Sequence, residues 1–360
     1  MTYQDLIDSI FQLQDEGLEI FKIGKSVLGK DILATHLGSY SGNQILIQAG
    51  IHAREYITTS LLVELARNLH NNDLVKNGGI YFIFLTNPDG AQIVLDGLNF
   101  INCEITKNYL KLGNNNSDNF SKFKANINLV DLNTNFNANW GQGSQNTFCP
   151  NSENFVGFYP ESEREVQNLI NFTLKNKPLL TISYHSKGNV IYYGFPGQTE
   201  SDFQRDKTIG EELSKSTGYP LIPTENSTGG YKDWCIQKLT IPSYTIEVGN
   251  ESLSHPIGIE NLPEIYQQNK NIPLIALNLA NEYAKTIDFN NNLLQNNSES
   301  EFISNASTTI TTNETLNTKQ FTQKEIQHEN RQNFTTNGNS FLARLKSYAK
   351  RRNTNRRSYS

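Results

Sequence analysis

The sequence predicts an α/β fold, a sheet with helices packed on both of its faces. Three observations carry this. Short runs that are apolar throughout recur along the chain, as strands buried on both faces do. Segments with helical periodicity stand between them. Gly, Pro and Asn mark the joins, giving the alternation of strand and helix from which covered sheets are built.

The elements follow in order. "ILIQAGI" (45–51) is the first clear strand-like run, and "TTSLLVELARNLHN" behind it carries a threonine as candidate cap and Leu61, Leu62, Leu65 and Leu69 on a helical stripe. "IYFIFLTNPDG" (80–90) is a second strand ending in turn residues. "ESEREVQNLINFTLKN" opens with Ser162 and Glu165 at capping-box spacing and reads as a helix. "LLTISYHS" (179–186), "VIYYG" (190–194) and "SYTIEVG" (243–249) are further strands. The stretch 262–287 is helical, with Pro273 expected to interrupt it. No internal repeat is evident.

A chain of 360 residues accommodates one large domain or two ordinary ones. Its apolar content of 36% is low, and the shortfall is concentrated past Asp288, where Asn, Thr and Ser dominate without a period. Such a segment cannot bury enough apolar surface to offset its ordering entropy. Residues 1–289 are therefore expected to form the folded body and 290–360 a disordered tail, with a short amphipathic helix over 341–348. From Phe289 onward there are 10 Lys and Arg against 5 Asp and Glu, which leaves 21 against 31 before it. An acidic body argues against nucleic-acid binding, and the basic end of the tail is suited at most to touching an anionic surface. The opening "MTYQDLIDSIFQLQDEG" lacks the basic region and apolar core of a signal peptide, and no run is long enough to span a membrane. Cys103, Cys149 and Cys235 are odd in number and scattered, which fits a reducing compartment.

His52, Asp89, His185 and Glu247 all fall at or just past the ends of strand-like runs. In covered α/β sheets, sites gather at the carboxyl ends of strands. His52 and Glu55 stand three apart, so one turn of helix places them on the same side. That spacing recurs by chance and does not make a metal site on its own. His185 completes a His, Glu, His set that leaves zinc a fourth position. Glu247, among apolar neighbours, has the surroundings that raise a carboxyl pKa and suit it to proton transfer.

Six pieces of the sequence together resemble the zinc metallocarboxypeptidases, or funnelins: "HAREYIT" (52–58), "NPDG" (87–90), "DLNTNF" (131–136), "SYHSKG" (183–188), "GGYKDW" (229–234) and "TIEVG" (245–249). They stand in the family's order and cover roughly 20–280. The resemblance implies a single α/β domain with a mixed, mostly eight-stranded sheet flanked by helices. It implies one zinc per chain on His52, Glu55 and His185, with Glu247 as general base and then acid. It implies that Arg54 lines the substrate cleft and Asn133 holds a substrate carboxylate.

The departures from the family are informative. Thr134 stands where family members that trim C-termini carry an Arg to clamp the terminal carboxylate. The Arg that polarises the scissile carbonyl has no plain counterpart, leaving Lys124 or Asn128 to substitute. The family tyrosine falls in register on Glu225, with Tyr231 as its substitute. Lys232 occupies the pocket position before "DW", where a cation selects an anionic group. These features resemble most the bacterial subgroup that cleaves γ-D-glutamyl–diamino acid bonds in peptidoglycan peptides, whose extra carboxylates Lys232, Arg54 and Lys187 would read. With neither signal peptide nor wall-binding repeat in view, the expected location is cytoplasmic, with the spore or forespore as a variant. Two other readings stay open: a carboxypeptidase acting on ordinary C-termini, and a catalytically inactive zinc-holding module.

Overall fold

The computed structural model describes residues 1–286. The tail expected over 290–360, its helix at 341–348 and its contact with an anionic surface lie outside the described residues. Within them the chain runs α1 (Tyr3–Asp15), β1 (Phe21–Lys25), β2 (Asp31–Gly38), β3 (Gln44–Gln48), α2 (Ile57–Asn71), β4 (Gly79–Ile83), α3 (Pro88–Asp96) and α4 (Glu104–Gly113). It continues through α5 (Arg164–Asn176), β5 (Leu180–His185), β6 (Val190–Tyr193), α6 (Glu200–Thr217), β7 (Leu221–Pro223), α7 (Tyr231–Trp234), β8 (Ser243–Glu247) and α8 (Leu262–Asn269). A last helix begins at 272, so the break falls just before Pro273, as that proline requires.

The eight strands form one mixed sheet in the order β1-β2-β4-β3-β5-β8-β6-β7. The middle four are mutually parallel, and β2 and β6 pair antiparallel on either side of them. Every residue of β3, β4 and β5 is buried, whereas the edge strands β1 and β7 are partly exposed. The pleat sends alternate residues to opposite faces. Ile45, Ile47, Ile80, Phe82, Ile182 and Tyr184 join one core with Leu61, Leu65 and Leu69 of α2, Leu213 of α6 and Ile265 of α8. Leu46, Tyr81 and Ile83 join the other with Val166 and Leu169 of α5 and Trp234 of α7. The same alternation reserves a polar stripe. Thr181, Ser183 and His185 of β5 face the way opposite to Ile182 and Tyr184, alongside Ser243, Thr245 and Glu247 of β8. The stripe is internally bonded low down, Thr181 to Ser243 at 2.5 Å, and opens at its carboxyl end with His185 paired to Glu247.

Two caps predicted from sequence are not formed. α2 starts at Ile57, and Thr58 instead donates to the Glu55 carbonyl and accepts from the Gly50 N–H, which ties the turn after β3 to the helix. At α5 the cap residue is Glu163; Ser162 donates to the Glu163 carboxylate and Glu165 accepts from the Val27 N–H. Asp89 is likewise not a site residue. It is fully buried in α3, accepts from the Leu28 N–H and pairs with Lys30 at 3.3 Å. Asp89 and Glu165 thus anchor the turn after β1, and Asn126 and Asn128 donate to Glu163 at 2.8 and 2.7 Å.

This buried acidic cluster has a consequence for stability. Burial, then the charges of Glu163 and Asp89, push the Glu165 carboxyl from its ordinary 4.5 up to about 8. A raised folded-state pKa stabilises the fold fully below the unfolded value, and that stability is lost as pH rises through the folded one. Glu165→Gln keeps the group neutral at every pH. Its melting temperature relative to the parent should therefore climb by several degrees between about pH 5 and pH 9. A difference that stays flat with pH in thermal melts would mean Glu165 is ionised in the fold.

Candidate metal centre and cleft

The parallel strands β3 and β5 are neighbours whose onward connections leave in opposite directions across the sheet, β3 to its neighbour β4 and β5 to β6 on the far side of β8. A crevice opens at their carboxyl ends, the topological switch point at which such sheets bind ligands. His185 is the last residue of β5. From β3 the backbone continues through Ala49 and Gly50, which hydrogen-bond to Ile83, Thr86 and Asn87, into a short turn, Ala53–Glu55, that brings His52 and Glu55 over the same crevice.

The three side chains converge. His52 Nδ1 lies 2.9 Å from Glu55 Oε1 and 3.1 Å from His185 Nδ1, and His185 Nδ1 lies 3.1 Å from Glu55 Oε2. All three are buried and offer donor atoms within 4.8 Å of one another. The opposite ring nitrogens are held from behind: His52 Nε2 by Asp131 Oδ1 at 3.2 Å, His185 Nε2 by Ser183 Oγ at 3.0 Å. Such outer partners fix the orientation of a metal-binding imidazole. Burial opposes the charge of Glu55, but the charge of His52 and hydrogen bonds from His185 and His52 outweigh it and hold the carboxyl well below its ordinary range. Two imidazoles and an ionised carboxylate are the donor set that zinc takes in catalytic sites.

Glu247 stands beside His185 by register on β8. Its Oε2 is shielded from solvent and has no hydrogen-bond partner among the described residues. Burial, reinforced by Glu55 and opposed by His185, Lys124 and Arg54, raises its pKa to about 7. His52 and Glu247 line one cavity of about 340 Å³, together with Lys124, Asn133, Thr134, Lys232 and Asp233.

The cleft also corrects the sequence reading. Asp131, not singled out from sequence, is its hub: fully buried, it pairs with His52 Nε2 at 3.2 Å and with Lys124 Nζ at 2.9 Å and accepts from the Asn133 N–H at 3.0 Å. Its place in "DLNTNF" was the available signal. Burial opposes its charge, but Lys124 and His52 hold its carboxyl below the ordinary range. Of the two candidates for the missing cation, Lys124 lines the cavity, whereas Asn128 is spent on Glu163. Tyr231 does not substitute for the family tyrosine. It is fully buried, stacked with Trp234 and tilted against Phe136, and its hydroxyl meets Thr173 at 2.8 Å; only its N–H, donated to Asn133 Oδ1, touches the site. Arg54 and Lys187 are not among the residues lining this cavity. Arg54 reaches the Lys122 carbonyl and Glu153, and Lys187 pairs with Glu251. Gly229, at φ +85°, lies so close to Thr134 that a Cβ would meet its carbonyl oxygen at 2.8 Å, so glycine is needed to close this wall.

Residues 3–272 match the family described as zinc carboxypeptidase. The γ-D-glutamyl-L-diamino acid endopeptidase 1 of Lysinibacillus sphaericus is 34% identical over 271 residues, covering 71% of this chain and 66% of that protein, just short of two thirds of its length. An uncharacterised protein of Bacillus subtilis (strain 168) is 29% identical over 271 residues, 71% of either chain. The crystal structure of carboxypeptidase A from Helicoverpa armigera shares the fold, with a TM-score of 0.61 at 20% identity over 79% of this chain and 74% of that one. Among the described residues no helix is long and apolar enough to cross a membrane.

If the converging donors hold the metal, His185→Ala should lose stoichiometric zinc by elemental analysis. Asp131→Asn should retain zinc with affinity weakened by roughly 10- to 100-fold, the usual cost of disturbing an outer partner. Parent-like zinc content in the His185 variant would rule out this ligand set.

Proposed function

The chain belongs to the zinc carboxypeptidase family, and on that premise we propose that it is a zinc peptidase that cleaves peptidoglycan-derived peptides at the γ-D-glutamyl–diaminopimelate bond. The observation that carries a hydrolytic role is Glu247: a shielded carboxyl oxygen without a partner among the described residues, in the same cavity as His52 and next to His185. A module that only held zinc would have no use for it.

Zinc held by His52, Glu55 and His185 would supply a Lewis acid that polarises the scissile carbonyl and acidifies a water. The protein's own groups do the rest. Glu247 takes a proton from the attacking water and returns it to the leaving amine. Burial raises its carboxyl above the ordinary range, the direction that suits a group which must hold a proton between the two halves of the transfer. Lys124, fixed against Asp131, places a positive charge beside the developing oxyanion. Asn133, whose Oδ1 is engaged by the Tyr231 N–H, keeps its amide donors for substrate.

The substrate class is supported by the Lysinibacillus sphaericus relative, named for γ-D-glutamyl-L-diamino acid cleavage. It is supported also by Thr134, whose hydroxyl is committed to the Asp131 carbonyl at 3.0 Å. Thr134 supplies no cation to clamp a plain C-terminal carboxylate, which disfavours ordinary carboxypeptidase action.

Glu247→Gln should keep its zinc and substrate affinity while kcat falls by about 10²- to 10⁴-fold, the usual share of general acid–base catalysis. Turnover within a few fold of the parent would require another base. Mass spectrometry of products from L-Ala-γ-D-Glu-diaminopimelate and from an ordinary C-terminal peptide, with and without chelator, decides the substrate class. Chelator-sensitive cleavage of the ordinary peptide alone would overturn it.

A further inference from the structure

Two charged side chains of the cavity wall are nearly inaccessible. Lys232 and Asp233 are 5% and 3% exposed. Lys232 Nζ donates to the Gly194 carbonyl at 2.7 Å and to Asp233 Oδ1 at 2.6 Å, and Asp233 Oδ2 accepts from the Gly230 N–H at 3.0 Å. An ammonium has three donors and a carboxylate about four acceptor sites, so each group keeps capacity for a ligand. Two further residues that line the cavity carry shielded polar atoms with no partner among the described residues, Asn146 Nδ2 and Thr224 Oγ1. Of the two other acids that line the cavity, Glu225 is exposed and Glu247 stands beside His185.

A buried Lys–Asp pair is a poor receptor for a single charge. A lone anion meets Lys232 but also the carboxylate bonded to it, and a lone cation meets the converse. A group that carries both charges on one carbon can set its carboxylate against Lys232 and its ammonium against Asp233, leaving neither buried charge unbalanced. We infer that Lys232 and Asp233, with Asn146 and Thr224, form a zwitterion-reading pocket for the distal amino-acid terminus of a diamino dicarboxylic residue such as diaminopimelate. This corrects the expectation that Lys232 alone reads a carboxylate. The inference rests on the reading that the leaving residue is a diamino acid, and it is tested without cleavage.

Calorimetric titration of the purified full chain with free meso-diaminopimelate, L-lysine and L-2-aminopimelate isolates the distal group, because the proximal amino-acid group is common to all three. Diaminopimelate should bind at least about 10-fold tighter than either of the others, the worth of one charge-assisted hydrogen bond. Lys232→Met should lower diaminopimelate affinity toward that of lysine and leave lysine little changed. Thr224→Val, a substitution at a partly exposed position that leaves the ion pair in place, should weaken diaminopimelate severalfold. Lysine or aminopimelate binding as tightly as diaminopimelate overturns the inference, as does binding of none of the three up to about 10 mM. If diaminopimelate is preferred but γ-D-glutamyl peptides are not cleaved, the pocket stands and the proposed reaction falls.

Discussion

The cleft depends on one buried carboxylate. Asp131 has no contact with solvent; its two oxygens accept from the Asn133 N–H and the Asn154 N–H and pair with His52 Nε2 at 3.2 Å and Lys124 Nζ at 2.9 Å. Each contact holds a different part of the site: a candidate metal ligand, the loop that carries Asn133, one of the two cavity lysines and the segment that carries Asn154. Burying a carboxylate is costly unless it is paired and hydrogen-bonded, and here two backbone donors and two charge partners offset that cost. The dependence runs both ways. Removing the charge would release His52 to the other tautomer and leave Lys124 unbalanced in the same step.

The position of this hub follows from the sheet. Strands buried on both faces leave little room for polar groups, yet β5 carries Thr181, Ser183 and His185 on one face. Each is matched to a neighbour: Thr181 to Ser243, Ser183 to Gln48, and Gln48 in turn to Thr86. A polar ladder therefore rises through an otherwise apolar sheet and ends where His185 and Glu247 emerge side by side. Because the ladder is satisfied from below, His185 arrives at the crevice with its orientation set by Ser183.

How much of this was legible in the sequence follows from what each feature rests on. The strands β3, β4, β5, β6 and β8 were readable because continuous apolar runs have few other meanings. The edge strands β1 and β7 were not, since partial exposure erases the signal. His52, His185 and Glu247 were legible as strand-end residues and Glu55 by its spacing from His52, and the structure brings them together. Tyr231 and Asp89 misled for one reason: a motif fixes the backbone, but the side chain goes where packing or pairing is best, here the aromatic cluster with Phe136 and the ion pair with Lys30. The Ser162–Glu165 spacing failed as a capping box because tertiary partners, Val27 among them, outbid a local bond. Lys232 looked like a solitary cation because sequence shows a neighbour in the chain without showing that the two side chains bond to each other.

Electrostatics at two ranges must be reconciled. The chain before Phe289 has 10 more acidic than basic side chains, so its far field repels acidic peptides. That field is screened within roughly 10 Å at ordinary salt. Recognition of an anionic peptide, the substrate proposed above, therefore cannot rely on long-range steering and has to come from contacts inside the cleft. Both cavity lysines are already bonded to an aspartate, Lys124 to Asp131 and Lys232 to Asp233. Each pair is close to neutral at a distance and strongly directional at contact. A site built this way has weak attraction for arbitrary carboxylates and discriminates by geometry, since only a ligand whose charges fit the orientation of the pair gains from both partners. Replacing the terminal-carboxylate clamp by Thr134 belongs to the same logic: an unpaired cation there would favour any free C-terminus, whereas paired charges favour one arrangement of charge on the residue beyond the scissile bond.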